Sequence, residues 1–242
     1  MKLRLFLLLS LVLLLVSCDG IGGGNDRGSG NVISEEREVS GFDKVLVSGS
    51  GIAEIIQGES ESLIVEAEDN IMPFVESEVE NGVLVLGQRA NLNLLPTKPV
   101  KYTITMVDIA GLEVSGSGAI NAEQIDGTIV AFGISGSGEI NVAELDGDSA
   151  EVKISGSGNA AISGDVADQV VEISGSGDYR AGDLRSATAV VTIGGSGDAT
   201  VWVDTTLEIN VGGSGSVSYY GDPILTESVS GSGDVRSLGA KG

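Results

Sequence analysis

Val114-Ser115-Gly116-Ser117-Gly118, Ile134-Ser135-Gly136-Ser137-Gly138, Ile154-Ser155-Gly156-Ser157-Gly158 and Ile173-Ser174-Gly175-Ser176-Gly177 are four copies of one phrase. Three more follow, at Ile193-Gly194-Gly195-Ser196-Gly197, Val211-Gly212-Gly213-Ser214-Gly215 and Val229-Ser230-Gly231-Ser232-Gly233. The first glycine of each Gly-Ser-Gly falls at 116, 136, 156, 175, 195, 213 and 231, in steps of 20, 20, 19, 20, 18 and 18. A short phrase recurring at a fixed period near 20 marks a solenoid, in which each repeat buries its apolar face only by stacking on its neighbours. An isolated copy, Val47-Ser48-Gly49-Ser50-Gly51, stands ahead of the regular array.

On both sides of each phrase apolar residues alternate with polar ones, as in Val152/Ile154, Val171/Ile173, Val191/Ile193 and Ile209/Val211 before it and Ile140/Val142, Ala160/Ile162, Tyr179/Ala181 and Val217/Tyr219 after it. Period-two alternation rich in β-branched residues predicts short strands with one face inward. Glycine at this density would cost a helix about 1 kcal/mol per residue. No proline lies between Pro99 and Pro223, so backbone donors remain available for ladders between coils. The expected fold is all-β, a parallel β-helix of about 20 residues per coil over residues 111–237. Positive φ at the corner is the expected reason for the glycines, and the serine between them is expected to form a hydroxyl ladder. Gly-x-Ser-x-Gly catalysis does not fit, because no serine of the array has glycine two residues away on both sides.

The position just after each corner carries Ala119, Glu139, Asn159, Asp178, Asp198, Ser216 and Asp234. Acids stacked one coil apart repel or attract a cation, and calcium suits such oxygen ligands; Asn and Asp are equally the ordinary residues of turns. No metal and no cofactor is assigned on this basis.

Composition narrows the chemistry. The chain has 242 residues, 37 of them glycine, one cysteine and no histidine, with 13 Lys+Arg against 35 Asp+Glu. Lack of histidine excludes a Ser-His-Asp triad, a Cys-His dyad and an imidazole base. One cysteine excludes an internal disulfide or a thiolate cluster, and a net charge of −22 argues against nucleic acid as a partner.

Residues 1–17 read as a signal peptide: Lys2 and Arg4, an apolar run from Leu5 to Val16, then Ser17 before Cys18. Leu15-Val16-Ser17-Cys18 resembles the lipobox of bacterial lipoproteins, which implies an acylated Cys18 as the first mature residue and the lipid bilayer as a partner. Cleavage there leaves 11 basic against 35 acidic residues, a formal charge of −24. Residues 18–33, small and polar, read as a flexible tether spanning roughly 20 Å. The choice between inner and outer membrane stays open.

Residues 34–110 are strand-rich but less regular. Asn70 to Ser77 is expected to form a short helix capped by Asn70 with Pro73 in its first turn, and Gln88 to Pro99 a loop. This half is expected to close the N-terminal end of the stack; residues 238–242 form a tail. Gly41-Phe42-Asp43-Lys44-Val45 with Val47-Ser48-Gly49-Ser50-Gly51, Glu80-Asn81-Gly82-Val83-Leu84-Val85 and Leu112-Glu113-Val114-Ser115-Gly116-Ser117-Gly118 resemble the head GIN domain, also called an auto-transporter adhesin domain, over about residues 38 to 237. The resemblance implies a right-handed parallel β-helix, exported and often lipid-anchored. It carries no catalytic residues to transfer.

The leading functional expectation is a non-enzymatic envelope lipoprotein whose solenoid contacts a cell-surface glycan or an envelope protein, with Trp202, Tyr179, Tyr219 and Tyr220 as exposed aromatic contacts. A second is a carboxylate-dependent polysaccharide-active enzyme using acids of alternate coils such as Asp178 and Asp198. A third is a self-associating scaffold, against which Asp234, Arg236 and Lys241 form a polar end.

Overall fold

The computed structural model describes residues 26–90 and 92–241; Cys18, the signal peptide and the start of the tether lie outside the described residues. The first half contains β1 (Asp26–Arg27), β2 (Val32–Arg37), β3 (Lys44–Gly49), β4 (Ile52–Gln57), β5 (Ser62–Glu68), β6 (Val75–Glu80), β7 (Val83–Gln88), β8 (Leu94–Leu95) and β9 (Lys101–Met106). The second half contains β10 (Gly111–Gly116), the four long bent strands β11 (Ala119–Ile134), β12 (Glu139–Ile154), β13 (Asn159–Ile173) and β14 (Tyr179–Ile193), then β15 (Ala199–Val211), β16 (Val217–Tyr220), β17 (Ile224–Val229) and β18 (Val235–Gly239).

From β10 onward successive coils pair in parallel, as the 20-residue period requires, giving about six turns. Pairing comes in three runs per coil: 119–122 lies on 139–142, 124–127 on 144–147 and 129–134 on 149–154. Each coil therefore has three short sides, bent at 123 and 128, and closes at the Gly-Ser-Gly corner. The alternation stacks like on like. One column runs Leu86, Val47, Val114, Ile134, Ile154, Ile173, Ile193 and Val211, all buried. A second, Leu84, Val45, Leu112, Phe132, Val152, Val171, Val191 and Ile209, lies beside it. Each fully buried side chain of this kind contributes about 1.5–3 kcal/mol.

The corners hold together differently from the expectation. Among the corner glycines only Gly49 and Gly116 have positive φ, 100° and 134°. The others are needed because coils approach too closely for a side chain. A Cβ at Gly116 would lie 2.6 Å from the Gly49 carbonyl oxygen, and one at Gly136, Gly156, Gly175, Gly195, Gly213 or Gly231 would strike the carbonyl oxygen of the glycine one coil below. That closeness makes a backbone ladder: Ser117 N–H donates to Gly49 O (2.8 Å), Ser137 to Gly116 (2.7 Å), Ser157 to Gly136 (2.8 Å) and Ser176 to Gly156 (2.9 Å). The ladder runs through the serine amides. Among the described residues no hydroxyl-to-hydroxyl bond links successive corner serines, which point into solvent.

The isolated copy at 47–51 proves to be the base of the same stack. Val114, Ser115 and Gly116 sit in register on Val47, Ser48 and Gly49, and Ala119 sits on Ile52. After β4, residues 58–110 leave that coil, build the closure beneath it and return to lay the next coil on top. On one side β3 rests on β7, which ends in antiparallel β6. On another, β4 rests on β9, then antiparallel β5 and β2. The edge strands carry Glu35, Glu36, Glu76, Glu78 and Glu80, charges that discourage edge-to-edge pairing.

Three local expectations change. The helix expected over 70–77 is a single 3-10 turn, Met72–Phe74, with proline at its start; Val75, Ser77 and Val79 then alternate as strand β6 against β7. The loop expected over 88–99 holds β8, paired in parallel with β1. Within the stretch expected as a tether, residues 26–27 and 32–33 are already strand, because β1 and β2 pair within the closure.

At the far end the last coil is open. Ile224 is 74% exposed, and Glu227 stands above Ile209, at the end of the Phe132 column. A carboxylate in line with an apolar column opposes a further coil. Asp234 and Arg236 were the expected end residues; Glu227 is the one in the column, and Lys241 turns back along the side.

Candidate binding surface

The post-corner residues do form one column. Ala119 stacks on Glu139 and Glu139 on Asn159; above them the side chains accept from the backbone of the next coil. Asn159 Oδ1 accepts from Asp178 N–H (3.0 Å), Asp178 Oδ1 from Asp198 N–H (3.3 Å) and Asp198 Oδ1 from Ser216 N–H (2.7 Å). In return Tyr179 N–H donates to Asp198 O and Ala199 N–H to Ser216 O. The backbone turns at the corner exit so that one amide points up and the next down, and the Asx oxygen fills the gap. These acids thus hold backbone, and Asp178 also pairs with Arg180 at 3.1 Å. Among the described residues no three acidic, histidine or cysteine side chains cluster as metal ligands do. The same bonds commit one carboxylate oxygen each of Asp178 and Asp198 to backbone amides of the next coil.

The aromatic residues divide. Tyr179 was expected outside; it is fully buried, in line with Ala160 below and Ala199 above. Its hydroxyl donates to Gln169 Oε1 (3.0 Å), Gln169 Nε2 donates to Ser186 Oγ (2.9 Å), and Ser186 Oγ donates to Trp202 O (3.0 Å). Burial pushes the Tyr179 phenol far above its ordinary range. Among the described residues no buried side-chain nitrogen or oxygen lacks a hydrogen-bond partner, and sequence reading missed this network because Gln169 occupies an inward position that alternation assigns to an apolar residue. Tyr219 also turns inward, above Val201.

Trp202 and Tyr220 face outward, half-buried and in register one coil apart. The register between β14 and β15 slips from Ala181↔Val201 to Arg185↔Trp202, so Gly182, Asp183 and Leu184 bulge beside the indole. Gly182 abuts the Tyr220 ring, since a Cβ there would lie 3.2 Å from it. Arg185 places its guanidinium 5.8 Å from the Trp202 centroid and pairs with Asp204 at 2.7 Å. Lys241 Nζ lies 5.1 Å from the Trp202 centroid and 4.9 Å from that of Tyr220. It also donates to Gly182 O and Asp183 Oδ1. Nothing in the local sequence announces this meeting, because Lys241 and Asp183 are 58 residues apart.

At the opposite end a carboxylate clip fixes the entering chain. Glu68, buried, accepts from Gly30 N–H (2.7 Å), Thr97 N–H (2.8 Å) and Thr97 Oγ1 (2.5 Å). Asp69 accepts from Ser29 Oγ and Asn31 Nδ2, and Asn70 bonds Ser29 N–H and Arg27 O. These bonds, led by the Thr97 hydroxyl for Glu68 and by Asn31 and Ser29 for Asp69, hold both carboxyls below their ordinary range. Asn70, expected as a helix cap, is part of this clip.

Solved structures share the architecture. A Bacteroides fragilis protein described as a "putative adhesin" superposes with a TM-score of 0.82 at 23% identity, covering 88% of this chain and 99% of its own. A Parabacteroides distasonis protein described as a "putative lipid binding protein" gives 0.75 at 24% identity, covering 89% of this chain and 100% of its own. A second P. distasonis protein, a "putative adhesin", gives 0.71 at 23% identity with 89% and 100% coverage. None of the curated proteins matches. The family model described as "Putative auto-transporter adhesin, head GIN domain" matches residues 41–223, and the chain belongs to that family.

Proposed function

We propose that this chain is a non-enzymatic adhesin of the bacterial cell envelope, held to a membrane through acylated Cys18 and presenting its solenoid to a glycan or protein on a neighbouring surface. The observation that carries the reading is the polarity of the stack. The chain enters at the closed end, where Glu68, Asp69 and Asn70 grip residues 27–31, while the outward aromatic pair and the open coil lie at the other end. An anchor at Cys18 therefore sets the closed end toward the bilayer and the aromatic end outward. Family membership and the adhesin descriptions of similar structures support the role. Use of the stacked acids as backbone acceptors favours binding over polysaccharide cleavage.

Cells expressing the chain and a Cys18→Ser variant distinguish the parts of this reading. The wild type is expected to take up labelled palmitate, remain in the membrane fraction and adhere to host-matrix or glycan-coated surfaces; the variant is expected to do none of these. Membrane retention without adhesion on any surface would refute the adhesive role, and retention of unlabelled Cys18→Ser would refute the anchor.

A further inference from the structure

Two aromatic faces, one carboxylate and one backbone carbonyl converge on a single ammonium at the outer end of the solenoid. Trp202 and Tyr220 supply the faces, at 5.1 and 4.9 Å from Lys241 Nζ. Asp183 and the Gly182 carbonyl accept its protons. Gly182 lies in the bulge of the register slip, unpaired with β15, which leaves its carbonyl available to the lysine. Ring quadrupoles attract a cation, and charged hydrogen bonds to a carboxylate add direction. This is a complete recognition set for an alkylammonium group, filled by the chain's own lysine.

The intramolecular occupant is held on one side by a screened partner: Asp183 is 75% exposed, against 25% for Lys241, so that ion pair adds little to the hold on the lysine. Lys241 follows Gly239, which has φ of 86° and donates from N–H to Ser237 Oγ, a turn that brings the segment back along the coil. We infer that Trp202, Tyr220, Asp183 and Gly182 O form a binding site for the ammonium of a lysine side chain on a partner protein, with Lys241 as a built-in competitor that must swing out first. Primary ammonium is selected over quaternary because the carboxylate and carbonyl both need an N–H donor. A protein lysine is selected over a phosphate-bearing amine because the chain as a whole carries a formal charge of −22, which repels a phosphate. The proposal rests on the adhesive reading only in making the partner a protein.

Trp202 is the single tryptophan, so its emission reports the site directly. The purified full chain in detergent is titrated with N-acetyl-lysine N-methylamide, beside Lys241→Ala and Lys241→Met. A short tether holds a competing group at millimolar effective concentration, so both variants should saturate at a concentration about tenfold or more below the wild type. Asp183→Asn introduced into Lys241→Met should weaken binding about tenfold, and the Nζ-acetylated ligand should give no saturable change. Absence of a saturable response in both lysine variants, equal half-saturation in wild type and variants, or an equal response to the acetylated ligand would each overturn the site. Tighter saturation by O-phosphoethanolamine than by the lysine derivative would overturn the choice of partner. Adhesion failing while this titration succeeds would count against the adhesive reading alone, and the reverse result against this site alone.

Discussion

Replacing Gly195 by alanine tests the close-approach account of the corners against its neighbour Gly194. A Cβ at 195 would strike the Gly175 carbonyl oxygen, so the coils must part there. Overpacking of this kind costs about 1–3 kcal/mol. Parting also strains the Ser196 N–H bond to Gly175 O and the Ser214 N–H bond to Gly195 O, both 2.9 Å, each contributing about 0.5–1.5 kcal/mol. Together Gly195→Ala should cost about 2–6 kcal/mol, and at about 2–4 °C per kcal/mol for a chain of this size Tm should fall by about 4–24 °C. Gly194 has no heavy atom within 4 Å of its Cβ position and no positive φ. Gly194→Ala should therefore leave Tm unchanged or raise stability by about 0.4–1 kcal/mol, through the unfolded chain alone. Thermal denaturation followed by circular dichroism makes the comparison. Equal losses at 194 and 195, or a harmless change at 195, would refute the reasoning.

Tyr179→Phe keeps the ring buried but leaves Gln169 Oε1 without its donor, so stability should drop by about 1–3 kcal/mol in urea denaturation, with Tyr219→Phe unaffected. Burial raises Tyr102 to about 12 and Tyr179 further; the unfolded phenols ionise near 10 while these two stay neutral when folded, so stability should decline as pH rises above 10. Glu68 works on the acid side: its folded pKa is lowered, so its contribution is complete above the unfolded value of about 4.5 and is lost as pH falls through the folded value. Protection of the Gly30 and Thr97 amides against hydrogen exchange should fall across that window, and Glu68→Ala, which removes both acceptors, should leave both unprotected at all pH values. Asp198→Asn retains the acceptor for Ser216 N–H and should leave stability in urea denaturation within about 0.5 kcal/mol, whereas Asp198→Ala should cost about 1 kcal/mol.

The solenoid was legible because its determinants are local and repeated: the alternating Val and Ile of every coil and a corner that recurs near every twentieth residue. The reason for the corner was not, since crowding between Gly195 and Gly175 exists only after coils stack, whereas positive φ is a property of one residue. The base coil at 47–51 was visible as a copy of the phrase, but its place beneath Gly116 depends on residues 58–110 folding as the closure and returning. The stacked acids were found by position, and their use as backbone acceptors follows from a peptide rotation that no residue type specifies. The ammonium site was illegible for a simpler reason. Asp183, Trp202, Tyr220 and Lys241 are ordinary surface residues in sequence, and a three-residue register slip brings them together.

Energy transfer to dansyl-labelled lipid in vesicles carrying the acylated chain tests most directly the claim that the closed end faces the bilayer. From β2 to β15 the pairing passes through β5, β9, β4, β11, β12, β13 and β14, which at about 4.8 Å per strand sets Trp202 about 38 Å beyond β2. A chain with its single tryptophan moved to β2, Val32→Trp with Trp202→Phe, should transfer strongly, and the wild type weakly. Equal transfer from the two positions, or stronger transfer from Trp202, would contradict the account.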